Sequence, residues 1–358
     1  MAADDLFVSA TCGAVEAARA GMTCVGDSSS AASYSMKALR EIGLRGIVYQ
    51  ESFGPDPNLA EQNVARLREQ LDEMRSLETS MVRAGVSPHA PYTVSAPQLK
   101  LIAQLAIDEQ LPLMMHAAES QAEESFMLNG SGVFNKGLQR RGIEWRAPGI
   151  STIQYLAQTG VLQTKPLLAH CVTVDDDDVQ TIRSASASIA HCPKSNAKLG
   201  HGRAPFAKFL AAGVNVGIGS DSVASNNNCD ILEEARFATL LARVASVDVA
   251  PTADQALFAA TVGGARALGL DDQVGALAEG MEADLIVVGL DGAHQQPLTN
   301  PIDALIFSSS GRDVRLTVVA GREIYRNGRR RNVDENEQRS RLRLIRQRLD
   351  SLNMEDHQ

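Results

Sequence analysis

The stretch Pro112–Ser120, PLMMHAAES, ends an apolar run in an imidazole and sets a carboxylate three residues further on. Leu113, Met114 and Met115 suit a buried strand; His116 closes it and Glu119 follows. A neutral imidazole is a common ligand for Zn²⁺ and similar ions. Asp221, in GIGSDS, offers a carboxylate from a distant part of the chain. Residues so far apart share one ion only if the ends of their strands face a common centre. Glu119, just past His116, is near enough to shuttle a proton to a nitrogen of whatever such an ion holds. His170, in LLAHC, is placed to orient or deprotonate a water on the ion, whose pKa a divalent cation brings to about 7. The residue types therefore spell metal-assisted hydrolysis at one divalent ion. Zinc is the expected metal, with iron the alternative that the same His and carboxylate ligands accept.

Positioning these groups requires a particular scaffold. Short apolar runs alternate with helical patterns along the chain. The expected strands are MTCVGD (22–27), LRGIVYQ (44–50), AGVSPHA (84–90), PLMMHA (112–117), PLLAHC (166–171), ASIAHC (187–192) and NVGIGSD (215–221). Between them, LAEQNVARLREQLDEMRSLETSM (59–81) carries Leu59, Val64, Leu67, Leu71 and Met74 near a 3.6 period and reads as a helix. APQLKLIAQLAIDEQ, VDDDDVQTIRSA and PFAKFLAAG also read as helices. The run Asp175–Asp178 suits the positive end of a helix dipole better than a metal site. Strands alternating with helices imply βαβ units and a parallel sheet with both faces covered. His89, His116, His170, His191 and Asp221 each close a different strand. In a closed barrel those ends converge on one face, whereas an open sheet spreads them along an edge. The fold class expected is α/β, a (β/α)₈ TIM-type barrel that lacks its first strand, since seven strands are legible and not eight.

The barrel spans residues 1–274. From about Gly275 the texture changes: GALAEGMEADLIVVGL and VRLTVVAGREIYRNGR look like β-strands with glycine turns. Residues 275–330 are expected to contribute part of a small β-sandwich. The charged tail 331–358, with SRLRLIRQRLDSL, reads as an amphipathic helix that packs on the barrel or caps it in solvent. The stretch Gly328–Asn332, with Arg329–Arg331, reads as a solvated turn and not a nucleic-acid patch. The net charge of −9 argues against a nucleic-acid backbone binder. No apolar run reaches the ~20 residues of a membrane helix, and MAADDLF lacks a secretory pattern. Five scattered cysteines without a CxxC pair read as reduced thiols in a cytoplasmic protein.

The segments SPHAPYTVS (87–95), HAAES (116–120), LAHCVTV (168–174), IAHCPKSNAKLGHG (189–202) and GIGSDSVASNNNCDILEEAR (217–236) resemble the amidohydrolase superfamily. The branch they match holds S-adenosylhomocysteine/methylthioadenosine deaminases, aminofutalosine deaminases, guanine deaminases and triazine hydrolases. The resemblance runs from about Gly21 to Arg326. It implies that His116 and Asp221 are metal ligands, with Asp221 also accepting the water's proton. It implies that Glu119 protonates the ring nitrogen beside the attacked carbon and that His170 hydrogen-bonds the nucleophilic water. His89 would reach the substrate, Asn196 and Ser195 would shape the pocket wall, and His191 would support structure. The implied reaction is hydrolytic: hydroxide attacks an aromatic C–NH₂ carbon, a tetrahedral centre forms, and ammonia leaves. Without the resemblance, His89 reads equally well as capping a turn between Pro88 and Pro91, and His201 as a loop residue.

One departure stands out. The family carries an HxH pair on its first barrel strand, and this sequence has no HxH. AARAGMTCVGD (17–27) matches the helix before strand 2 and that strand itself. The expectation is that Met1 lies inside a longer reading frame and that the chain as it stands is weakly metallated or inactive. The rival readings are a non-catalytic barrel kept for binding or structure, and a homodimer in which another chain supplies the strand. For the substrate, a small aminated heterocycle of the purine-nucleoside type is expected. Arg140, Arg141, Trp145 and Arg146, in the insertion 134–149, suit an anionic or aromatic substituent. Aminofutalosine or S-adenosylhomocysteine fits those arginines; guanine or a triazine is the alternative.

Overall fold

Apolar β-branched and leucine-rich runs become strands here, and the amphipathic stretches between them become the helices that cover those strands. The computed structural model describes residues 3–245, 250–330 and 335–355. The chain opens with α1 (Ala3–Arg19), β1 (Cys24–Ser29), α2 (Ala32–Ile42), β2 (Arg45–Ser52), α3 (Ala60–Arg75), β3 (Val82–Pro88), α4 (Ala96–Asp108) and β4 (Met114–Ala117). Three helices, α5 (Gln121–Asn129), α6 (Val133–Arg140) and α7 (Thr152–Gln158), lead to β5 (Leu167–His170). Then come α8 (Asp176–Ser184), β6 (Ser188–His191), α9 (Pro193–Lys198), α10 (Phe206–Ala212) and β7 (Asn215–Ile218). Helices α11 (Val223–Asn226), α12 (Ile231–Ala245), α13 (Ala253–Ala260) and α14 (Val262–Ala267) complete the α/β part. The remainder is β8 (Leu285–Val288), α15 (Pro301–Phe307), β9 (Val314–Val319), β10 (Arg322–Arg326), β11 (Arg329–Arg330) and α16 (Glu335–Glu355).

Strands β1 to β7 are parallel and neighbour one another in chain order. A single Val86–Leu113 bridge joins β3 to β4. All seven expected strands are present, with ends shifted by a few residues. Among the described residues, neither β1 nor β7 has a paired strand on its outer side. This is a TIM-type barrel without its first strand. Alternate residues of each strand face inward. Ile47, Tyr49, Met114, Leu167 and Ala169 pack there together with Ala265 of α14 and with Leu270 and Val274 just after it. Leu268 reaches β1: a Cβ added to Gly26 would lie 2.8 Å from its Cδ2. The opposite strand faces pack under the helices, as with Val82, Ala84 and Val86 of β3 against the leucines of α3 and α4.

Local chemistry sets the helix boundaries. Asp175 caps α8 by accepting from the Asp178 amide at 2.8 Å, and Asp178 returns a bond to the Asp175 amide. The acidic run is therefore a capping box. In α3 the buried stripe is Val64, Leu67, Leu71 and Met74 as expected. Leu59, expected on the same stripe, is 45% exposed. It ends a 3₁₀ turn capped by Asp56, so the α-helical period begins only at Ala60.

Strands β8 to β11 form an antiparallel sheet in the order β11-β10-β9-β8. Arg45, at the start of β2, ties it to the barrel through a buried two-point pair with Asp284, at 2.9 and 3.1 Å. Thr317 of β9 donates to the Ala18 carbonyl of α1 at 2.8 Å. Helix α16 packs along α1, where Arg341 pairs with Asp4 and Arg348 with Asp5. The tail is thus a packed helix from Glu335; of the expected basic turn, Arg329 and Arg330 instead pair with Arg326 and Tyr325 as β11, and Arg331 and Asn332 lie outside the described residues. All five cysteines are free thiols. Among the described residues no helix is long and apolar enough to cross a membrane.

Candidate active site

Strand alternation carries polar side chains to the C-terminal mouth of the barrel. On β2, the inward row Ile47 and Tyr49 ends in Glu51; on β4, Met114 is followed by His116. Past the strand ends the backbone turns sharply. Ala118, His170, Cys171 and Asp221 all take positive φ, between 47° and 75°. Non-glycine residues hold this conformation only where the surroundings enforce it, at of order 1 kcal/mol or more each. Here the turns aim side chains that regular strands would send elsewhere.

The ligand atoms of Glu51, His89 and His116 lie within 4.8 Å of one another. The rings of His89 and His116 are 4.8 Å apart, and those of His116 and His170 are 5.6 Å apart. Each imidazole has Nδ1 occupied. His116 Nδ1 lies 2.9 Å from the His89 carbonyl, which can only accept, so Nδ1 carries the proton. His89 Nδ1 meets Thr93 Oγ1 at 2.9 Å, and that hydroxyl spends its own proton on the Ala90 carbonyl. His170 Nδ1 meets Asn196 Oδ1 at 2.9 Å. In all three rings the partner is on Nδ1, which leaves Nε2 to face a metal or a proton. Burial, then the neighbouring His116 and His170, hold His89 down at about 4, so it is neutral at pH 7. Burial raises the Glu51 carboxyl, against the opposing pull of His116 and the Ser28 hydroxyl. Imidazoles tied at Nδ1 beside a partly desolvated carboxylate fit a divalent cation, whose charge would offset the desolvation of Glu51.

Glu119 stands beside this set. Its Oε1 is 3.7 Å from His170 Nε2 and 3.2 Å from His201 Nδ1. Its loop is held by Glu123, which is fully buried and accepts from the amides of Ala118 at 2.8 Å and Glu119 at 2.9 Å and from the Thr152 hydroxyl at 2.8 Å. Burial pushes the Glu123 carboxyl up to about 7, against the pull of those donors. Asp221 accepts from Ser195 Oγ at 2.5 Å, Ser225 Oγ at 2.7 Å and the Ser222 amide at 2.5 Å. Burial raises its carboxyl, but these hydroxyls and the nearby His170 outweigh it and hold the group below its usual range. Asp221 is not in the three-residue set around His116.

The structure thus gathers His89, His116, His170 and Glu119, and brings in Glu51, which sequence reading missed. Glu51 was the next inward position of the row Ile47 and Tyr49, one residue past the expected strand end. Glu123 was hidden inside SQAE, which reads as a helix-capping pattern. Asn196, expected on the pocket wall, is 1% exposed and stands behind His170. His191 is buried, stacks on Phe206 at 5.3 Å and has no partner on Nδ1. The insertion is pinned by aromatics: Phe134 stacks on Tyr92 at 3.9 Å and Trp145 on Phe126 at 4.3 Å. Arg141 and Arg146 are exposed, and their side chains have no ion pair among the described residues.

A barrel with an imidazole–carboxylate mouth defines a class of metal-dependent hydrolases. The Amidohydrolase family model matches residues 2–324, and the chain belongs to that family. It is 35% identical over 312 residues to a 5-methylthioadenosine/S-adenosylhomocysteine deaminase of Syntrophobacter fumaroxidans, covering 86% of this chain and 67% of that protein. It is 32% identical over 338 residues to a 5'-deoxyadenosine deaminase of Methanothermobacter thermautotrophicus, covering 93% of this chain and 74% of that protein. Among solved structures, an adenosine deaminase from Xanthomonas campestris with bound zinc superposes with a TM-score of 0.86 at 26% identity, over 98% of this chain and 76% of that one. The fold is also that of an atrazine chlorohydrolase from Arthrobacter aurescens complexed with zinc, at a TM-score of 0.81, 24% identity, and 94% and 76% coverage.

Proposed function

We propose that the chain hydrolytically deaminates an adenine nucleoside of the methylthioadenosine, S-adenosylhomocysteine or 5'-deoxyadenosine type. The observation that carries this reading is Glu119 Oε1, 3.7 Å from Nε2 of His170, whose ring lies 5.6 Å from that of His116 in the set with Glu51 and His89. His116, with Glu51 or Asp221 as the carboxylate, would hold one zinc ion, which when bound supplies Lewis-acid activation of water. Glu119 gives a proton to the ring nitrogen beside the C–NH₂ carbon, which makes that carbon electrophilic; after attack the proton that Asp221 took from the water passes to the exocyclic amine, which leaves as ammonia, while the new hydroxyl returns a proton to Glu119. His170 Nε2 accepts a hydrogen bond from the attacking water, its orientation set by Asn196. Asp221, kept ionised by Ser195 and Ser225, accepts the proton that the water gives up. His89, flanked by Phe53 at 4.6 Å and Tyr92 at 6.2 Å, faces the nucleoside. Arg141 and Arg146 meet a carboxylate at the far end of the substrate, which favours S-adenosylhomocysteine over guanine or a triazine.

Ammonia release from a panel of methylthioadenosine, S-adenosylhomocysteine, 5'-deoxyadenosine, guanine and a triazine tests the reading. Turnover of an adenine nucleoside by the zinc-loaded chain, falling about 100-fold or more in Glu119→Gln, supports it. Turnover of none of them, or an unaffected Glu119→Gln variant, overturns it.

A further inference from the structure

The opposite end of the barrel holds a cavity of about 780 Å³, formed where β3 to β7 begin and where α14 ends. Arg83, Lys165, Arg183 and Arg266 line it, and no carboxylate does. That sign runs against the chain as a whole, whose net charge is −9. Arg266 pairs with Asp271 at 2.9 Å. The side chains of Arg83, Lys165 and Arg183 have no ion pair or hydrogen bond among the described residues. Three elements supply them: Arg83 is the second residue of β3, Lys165 lies in the turn before β5, and Arg183 is in the last turn of α8. Arg83 shares its strand face with Gly85, where an added Cβ would lie 2.6 Å from the Tyr49 ring. Since Tyr49 belongs to the inner packing of the barrel, Arg83 is an inward-facing residue at its base.

The floor of the cavity is polar. Asn215 Nδ2 donates to Ser188 Oγ at 3.0 Å and to the Gly263 carbonyl at 3.1 Å. Ser188 Oγ accepts there, so its own O–H proton remains to be given. Asn215 Oδ1 is buried with no partner. The floor therefore offers one donor and one acceptor beneath three uncompensated cations. Two guanidinium forks and an ammonium suit a compact anion of more than one charge, because phosphate oxygens accept bidentate bonds from arginine and a point charge from lysine.

We propose that this basal cavity binds a small phosphate-bearing anion, with Arg83, Lys165 and Arg183 at the charged end and Ser188 and Asn215 beneath it. The site is remote from the mouth and independent of the deaminase reading. Binding of inorganic pyrophosphate to the metal-free chain, measured by calorimetry at low salt, tests it. The expectation is saturable binding, weakened about tenfold in Arg83→Gln and again in Arg183→Gln, weakened further by added salt, and unchanged in His116→Ala. Lys165→Gln, on an exposed turn, serves as the check if an arginine variant melts early. A parallel titration with ribose 5-phosphate separates sources: tighter binding than pyrophosphate assigns an organic ester whose hydroxyl meets Asn215, and weaker binding assigns the inorganic anion. Absence of saturable binding, arginine and lysine variants that bind as the parent does, or loss of binding in His116→Ala would overturn the proposal.

Discussion

His170 presents Nε2 to Glu119 because Asn196 occupies its other nitrogen. Asn196→Leu removes that acceptor and should lower kcat about 10- to 100-fold. Asn196→Asp keeps the acceptor and should retain more activity than Asn196→Leu; equal losses in steady-state kinetics would argue that Asn196 only packs. His191 gives a different test. Burial and the nearby His170 push its pKa from an ordinary 6.5 down to about 3. Its contribution to stability is fully present above 6.5 and is lost as pH falls toward 3, because the unfolded chain takes up the proton first. Glu123 and Glu234, raised by burial to about 7, act in the other direction: their contribution is present below 4.5 and lost as pH rises through 7. His191→Phe, stacked on Phe206, should therefore lose less stability than the parent between pH 7 and pH 4.5, as read by urea denaturation at both values. At this scale the mouth was half legible. An imidazole at a strand end is visible in a sequence. A carboxylate such as Glu123, whose partners are backbone amides, looks like any helix-capping residue.

The seven strands were readable because parallel strands buried on both faces are nearly continuous apolar runs. Helix α3 was readable from its period. Helix α14 was not, since VGGARA places two glycines in six residues, which propensity alone assigns elsewhere. Packing is the reason it forms there. A Cβ on Gly263 would lie 2.4 Å from the Val216 carbonyl, and one on Gly217 would lie 3.0 Å from Gly264 Cα. The glycines let α14 lie directly on β7. Gly263→Ala should destabilise the protein by about 1–3 kcal/mol in urea denaturation. Gly137, inside α6 with nothing within 4 Å of an added Cβ, is the contrast. Gly137→Ala should stabilise by about 0.5–1 kcal/mol through helix propensity. Similar effects at the two positions would contradict the packing account of α14.

Over the whole molecule, the barrel and the antiparallel sheet are joined by few but specific contacts, and Arg45–Asp284 is the most buried of them. Asp284 also accepts from the Ala320 amide at 2.8 Å, so one carboxylate fixes both the barrel base and the β9–β10 turn. Asp284→Asn leaves the buried guanidinium with only the half-exposed Glu282 carboxylate, 3.5 Å away, and should lower stability by about 3 kcal/mol, visible as a shifted urea midpoint. Long-range pairing of this kind, 239 residues apart in sequence, leaves no local pattern to read. The central claim, however, concerns the mouth: that distant strand ends of this barrel converge on one divalent cation. Metal content by mass spectrometry, after loading with zinc and desalting, measures it directly. With Glu51 and His89 beside His116, in place of the two ligands and weak metallation expected from the sequence, the account predicts about one ion retained per chain, lost in His116→Ala while the circular dichroism spectrum is unchanged. A chain that retains no ion, or a folded His116→Ala variant that retains as much as the parent, would contradict it.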